Sequence, residues 1–183
     1  MASICVFCGS QSGQIADYTD AARKLARILA DNDHTLVYGG GSVGLMGALA
    51  DQMLANNGRV TGVIPEALAN VELMHGGVSD MRIVPDMHTR KATMHELADA
   101  YVALPGGYGT LEELFEVLCW GQLQFHSAPV ALLNCGGFFS GLVSQLDHMV
   151  SHGFLSRDHR RILYTTADVE DLEHWLHAVG EGR

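Results

Sequence analysis

Three glycine-rich stretches, one basic pair and one acidic helix start hold the residue types that could do chemistry in this chain of 183 residues. Tyr38–Gly47 reads YGGGSVGLMG. Glycines let the backbone turn sharply and approach a ligand closely. A helix opening directly after them offers free N–H groups and a positive dipole end to an anion. The spacing Gly39-x-Gly41-x-x-Gly44 also matches the dinucleotide-binding pattern, with Glu66 downstream where a ribose contact would fall. Ala103–Glu113, ALPGGYGTLEE, repeats the order strand, glycine turn, helix start. Thr110-x-x-Glu113 fits a capping box, on which Glu113 would only close a helix end. Yet Glu112, Glu113 and Glu116 crowd a start that already has its cap. Asp86–Met94, DMHTRKATM, sets Arg90 beside Lys91 in a chain whose other lysine is Lys24. Arg90 either bridges to Asp86 one turn back, an exposed pair worth little, or grips an oxyanion with its planar fork. Gly9 and Ser10, with Gly40 and Gly41, are the remaining phosphate-loop candidates.

The elements that must position these residues alternate along the chain. Strands are expected at Ser3–Cys8, Thr35–Tyr38, Val60–Ile64, Met81–Val84, Tyr101–Leu104 and Pro129–Leu133. Helices are expected at Tyr18–Asn32, Gly44–Asn57, Asp86–Asp99 (with Asp86 as N-cap), Thr110–Gln122, Phe138–Ser151 and Val169–Val179. Val71–Gly77 reads as irregular. Near-continuous apolar strands separated by helices imply an α/β, Rossmann-like fold: a mostly parallel sheet with helices on both faces, here as one nucleotide-binding domain over residues 1–183. In such sheets the ligand sits beyond the carboxyl ends of the strands, where the three glycine stretches converge.

Composition narrows the partner. The formal net charge of -10 disfavours a nucleic-acid polymer but leaves room for a small phosphorylated ligand held by local donors. The N-terminal MASICVFCGS lacks the basic and long apolar parts of a signal peptide, and no apolar run reaches membrane-spanning length, so a cytoplasmic protein without a membrane partner is expected. Cys5-x-x-Cys8 falls on a strand, where residues three apart point to opposite faces, so the two thiols diverge and read as buried hydrophobes. His88 and His95 flank Arg90, and His148 and His152 stand four apart on a helix without a metalloprotease glutamate; no metal is assigned.

Taken in order, CVFCGS, YGGGSVGLMG, VIPEAL, MHTRK, ADAYVALPGG, PGGYGTLEE and PVALLN resemble the LONELY GUY family, the cytokinin riboside 5′-monophosphate phosphoribohydrolases, some of whose members carry the label lysine decarboxylase. The resemblance runs from about Ile4 to Phe154, and its P-G-G-x-G-T-x-x-E motif with the upstream Arg-Lys pair is specific to this family and its close relatives. It implies a Rossmann-like fold, a homodimer, no metal or organic cofactor, and hydrolysis of a nucleoside 5′-monophosphate to free base and ribose 5-phosphate. The family's catalytic arginine and glutamate fall on Arg90 and Glu113. Its substrate-binding positions fall on Glu72, Lys91, Gly107, Tyr108, Gly109, Thr110, Leu111 and Glu112, and on Cys119, where the family commonly has Thr. Ala128 before Pro129 and the run Gly121–Phe125 also depart from the family, which bears on the preferred base more than on the reaction.

Three rival readings remain. A nicotinamide oxidoreductase explains Gly39–Gly44 and Glu66 but leaves PGGYGTLEE and Arg90 idle. A non-catalytic nucleotide-binding module shares every binding feature, and Arg90 with Glu113 argues against it. A pyridoxal phosphate decarboxylase needs a Schiff-base lysine, for which Lys24 and Lys91 are the choices.

Overall fold

A computed structural model of the protein describes residues 1–69 and 74–181. Seven strands form one sheet: β1 (Ser3–Phe7), β2 (Thr35–Tyr38), β3 (Arg59–Pro65), β4 (Asp80–Val84), β5 (Ala100–Ala103), β6 (Val130–Leu133) and β7 (Leu163–Thr166). Their order is β4-β3-β2-β1-β5-β6-β7, and all six pairings are parallel. The chain builds outward from β1 to β4, then crosses back to lay β5 on the other side of β1. The strand order therefore reverses between β1 and β5, where open α/β sheets leave a crevice.

Alternation along β1 shows how the sequence divides the core. Ile4 and Val6 face one apolar cluster with Leu25, Leu29, Leu45 and Leu49, while Cys5 and Phe7 face a second with Met94, Leu114 and Val117. The first cluster is covered by α1 (Ala16–Asp31), α2 (Gly44–Ala55) and α8 (Val169–Glu181); the second by α4 (Met87–Leu97), α5 (Tyr108–Gln122) and α6 (Ser140–Ser151). Cys5 and Cys8 fall in different clusters, so their thiols diverge across the sheet.

The six expected strands form, with ends shifted by a residue or two. The sequence reading missed β7 and two one-turn helices, α3 (Glu66–Ala69) and α7 (Arg157–Arg160). Leu163-Tyr164-Thr165-Thr166 is a four-residue edge strand in which three residues carry hydroxyls, too short and polar for the apolar-run test.

Two local expectations are corrected. The Thr110–Glu113 capping box does not form: α5 starts two residues earlier, with Gly107 as N-cap, which puts Glu113 at the sixth helical position. Arg90 does not bridge to Asp86 on the surface. Asp86 is the N-cap of α4 and accepts from the Thr89 N–H at 2.7 Å, while Arg90 turns inward and is buried.

Candidate active site

The loops after β1, β2 and β5 interlock above the sheet. The Gly9 N–H donates to the Pro105 carbonyl at 3.0 Å, tying the β1 loop to the β5 loop. The Gly9 carbonyl accepts from the Leu45 N–H at 3.0 Å and the Met46 N–H at 3.3 Å, tying it to the start of α2. Gly44, at φ 63°, packs against the Ser10 backbone so closely that a Cβ would overlap it.

Beside this junction lies a cavity of about 200 Å³ lined by the β1 end and its loop (Val6, Cys8, Gly9, Ser10), Gly39, Met46, Arg90, and the α5 start with Glu113. Arg90 crosses into it from α4. Its Nε donates to the Val63 carbonyl at 3.1 Å and its Nη2 to the Gly39 carbonyl at 3.4 Å. Val63 lies within β3, two residues before its end, and Gly39 directly follows β2, so the sheet itself aims the guanidinium. Its Nη1 stands 3.6 Å from Glu113 Oε1, with both side chains close to nine-tenths buried. The pair is an ion pair without hydrogen-bond contact, so the two groups face the cavity together without closing it.

The N-terminus of α5 points its free N–H groups at the same space through Gly107, Tyr108, Gly109 and Thr110, which all line the cavity. Thr110 is buried and Tyr108 is almost fully exposed at the rim. Burial first, then the charge of Glu113, raises the Cys8 thiol above its ordinary range, with Arg90 pulling the other way. Cys8 therefore stands in the wall as a neutral thiol.

A second ionic layer sits beside the first. Lys91 Nζ donates to Glu112 Oε1 at 2.5 Å and to Glu116 Oε2 at 2.6 Å, and the Glu116 Oε1 pairs with His95 Nε2 at 3.0 Å. Burial alone would raise Glu116, but hydrogen bonds from Lys91 and His95 outweigh it and hold the carboxyl below its usual range. Burial would lower Lys91, and its bonds to Glu112 and Glu116 reverse that, leaving it raised.

The structure thus gathers Gly9, Ser10, Arg90, Gly107, Tyr108, Gly109, Thr110 and Glu113 in one cavity. Gly40 and Gly41 turn away: Gly40 packs toward Ile64 and Met81, and Gly41 bridges to Met74. Lys91, Leu111 and Glu112 lie outside the lining, and Cys119 lines a different cavity between α5 and α6. Glu72 lies outside the described residues. Glu66, the ribose candidate of the oxidoreductase reading, is exposed at the start of α3. Lys24 is exposed on α1 and Lys91 is held between two carboxylates, so neither lysine opens into the cavity. From the sequence, Gly39 was read only as part of the dinucleotide pattern and Cys8 only as a buried hydrophobe, while Val6 and Met46 were not singled out. Their shared signal is position: each stands at or just beyond a strand's carboxyl end, or in the first helical turn after it.

The family model described as "Possible lysine decarboxylase" matches residues 46–175. A cytokinin riboside 5′-monophosphate phosphoribohydrolase of Arabidopsis thaliana is 49% identical over 170 residues, covering 92% of this chain and 79% of that protein. One of Oryza sativa subsp. japonica is 47% identical over 169 residues, covering 92% and 70%. Among solved structures, the molybdenum cofactor carrier protein from Chlamydomonas reinhardtii matches with a TM-score of 0.75 and 18% identity, covering 100% of this chain and 99% of that one. The molybdenum cofactor binding protein from Rippkaea orientalis matches with a TM-score of 0.72 and 20% identity, covering 97% and 96%; at such identity these two share the fold. With the sequence match extending over nine-tenths of its length, the chain belongs to the family of cytokinin riboside 5′-monophosphate phosphoribohydrolases.

Proposed function

We infer that the protein is a hydrolase of N-glycosyl bonds that releases the free base and ribose 5-phosphate from cytokinin riboside 5′-monophosphates. The observation that carries this reading is the Arg90–Glu113 pair, 3.6 Å apart at the end of the β1–β5 crevice and beside a helix N-terminus. The α5 start offers N–H groups and a positive dipole end to the 5′-phosphate. Glu113 lies five residues further along α5, about 7 Å at the helical rise per residue. That offset is comparable to the reach from a 5′-phosphate to the anomeric carbon, which brings the scissile bond beside Glu113 and Arg90.

Breaking the bond sends its electron pair to the base nitrogen and leaves positive charge on the sugar, by analogy with glycoside hydrolysis. The Glu113 carboxylate would stabilise that charge and orient the attacking water. Water oxygen then bonds the anomeric carbon, and the proton it sheds replaces the sugar on the departing base. Arg90, fixed by the Val63 and Gly39 carbonyls, sets its positive charge 3.6 Å from Glu113 and offers its remaining donors to the substrate.

The test is base release from isopentenyladenosine 5′-monophosphate and adenosine 5′-monophosphate, each against its dephosphorylated riboside. Release from the monophosphates alone is expected, and their rate ratio reports the preferred base. Glu113→Gln should remain folded and lose about 10²–10⁴-fold in turnover. No release by folded wild-type protein would favour the non-catalytic binding module.

We also propose a homodimer in the cytoplasm. Phe115, Leu123, Phe125 and Phe154 are exposed around the end of α5 and the cavity it shares with α6, an apolar surface that a second copy would cover. Sedimentation at the mass of one chain would refute the dimer. Four free cysteines accord with a reducing compartment, and among the described residues no helix is long and apolar enough to cross a membrane.

A further inference from the structure

Arg90 and Glu113 are one layer of a wider contact between α4 and α5. Lys91 and His95 stand four apart on α4, and Glu112 and Glu116 four apart on α5, so each pair shares a helix face. Glu116 is the centre: one carboxylate oxygen takes the Lys91 ammonium and the other meets His95 Nε2. His95 is fixed in turn by the Tyr101 hydroxyl, 3.2 Å from its Nδ1, and by the Trp120 ring, 4.6 Å away between centroids. The Lys91 ammonium is about nine-tenths buried yet does not line the Arg90–Glu113 cavity, because both of its carboxylate partners draw it to the outer side.

We propose that Glu116, with Lys91 and His95, is a positioning centre that sets α4 against α5 and so holds Arg90 and Glu113 at their working separation, and that Lys91 acts through this brace and does not touch the substrate. The proposal rests on the hydrolase reading above. Its physical basis is the adjacency of the layers. Arg90 precedes Lys91 on α4, and Glu113 lies between Glu112 and Glu116 on α5. Any slip that relaxes the outer layer must therefore change the 3.6 Å gap of the inner one. Displacing a reacting group by about 1 Å can cost about 10²-fold in rate, so a brace that touches no substrate still governs turnover.

The experiment compares kcat and KM for isopentenyladenosine 5′-monophosphate in the wild type, Glu116→Gln, Lys91→Met, Lys91→Arg and the double variant Glu116→Gln/Lys91→Met. Melting curves confirm that each protein is folded at the assay temperature. The wild type is assayed first: its inactivity would overturn the hydrolase reading and this proposal with it, whereas an active wild type isolates the brace. Each neutralising variant should lower kcat about tenfold or more while KM stays within about threefold. The double variant should lose no more than the worse single one, because both remove the same contact. Lys91→Arg, which can still span two carboxylates, should recover most of the rate. Should Glu116→Gln fail to fold, Glu116→Asp keeps the charge on a shorter arm, and a fall in its kcat at constant KM supports the same conclusion. A raised KM with intact kcat in Lys91→Met would make Lys91 a substrate ligand and overturn the proposal, as would additive losses in the double variant.

Discussion

Replacing Gly39 with alanine separates the cost of folding from the cost of aiming Arg90. A methyl group at Gly39 would lie 3.0 Å from Met46 Sδ and 3.4 Å from Arg90 Cζ, and well inside van der Waals contact with Arg90 Nη2. The Gly39 backbone is outside the left-handed region, so alanine meets no dihedral strain there. The obstruction is the far end of a long side chain, which can swing aside, so the fold should lose only about 1–3 kcal/mol. The guanidinium, however, must retreat by roughly 1 Å to regain a normal contact distance. That breaks its aim from the Gly39 and Val63 carbonyls and widens or skews its approach to Glu113. A shift of that size corresponds to about 10²-fold in kcat/KM, or about 2.7 kcal/mol of transition-state stabilisation. Base release measured under steady-state conditions, beside a thermal melt, reads both quantities. A kcat/KM within about threefold of wild type in a folded Gly39→Ala protein would refute the idea that the Gly39 and Val63 carbonyls must fix Arg90 for turnover.

Two further substitutions probe the same region. Gly44→Ala combines a positive φ of 63° with overlap on the Ser10 backbone, which cannot swing away; a melt should show a loss larger than that of Gly39→Ala, and equal stability would mean the loop junction is not rigid. Cys8→Ala should keep turnover within about tenfold, because burial and Glu113 keep that thiol neutral and so a poor nucleophile; loss of activity comparable to Glu113→Gln would instead place the sulfur in the reaction.

What could be read from the sequence followed from periodicity and from paired motifs. The six main strands and the long helices carry their own burial pattern, and the glycine stretches after Cys8, Tyr38 and Leu104 mark the strand ends where the ligand sits, whereas the strand order that opens the crevice between β1 and β5 comes from the structure. Arg90 and Glu113 were legible as family positions, and the structure brings them together. The capping box misled because the PGGYG turn enters its helix through Gly107 itself, and a glycine N-cap leaves no side-chain signature. Gly39 was hidden for a related reason. The two residues after it are also glycines, and its packing against Arg90 spans 51 residues. Cys119 shows the opposite limit: it lies on the same helix as Glu113, but six residues on, about 240° around the helix axis, it faces another cavity.

The pairing of charges also answers how an acidic chain can take an anionic substrate. The second and third turns of α5 carry Glu112, Glu113 and Glu116, just behind the helix end proposed to receive a phosphate. A lone carboxylate about 7 Å from a phosphate would cost about 2 kcal/mol at an effective dielectric of about 20, less where water screens it. Two such groups would outweigh what the helix N-terminus offers, which is about 0.3–1 kcal/mol in exposed settings and about 2 kcal/mol in partly buried ones. Arg90 offsets Glu113, and Lys91 lies against both Glu112 and Glu116. Adjacent on one helical turn, Arg90 and Lys91 point about 100° apart, so a single basic dipeptide neutralises the inner and the outer acidic layers at once. The net charge of -10 is then a property of the remaining surface, and the local potential at the cavity is set by the α5 dipole and the donors that line it.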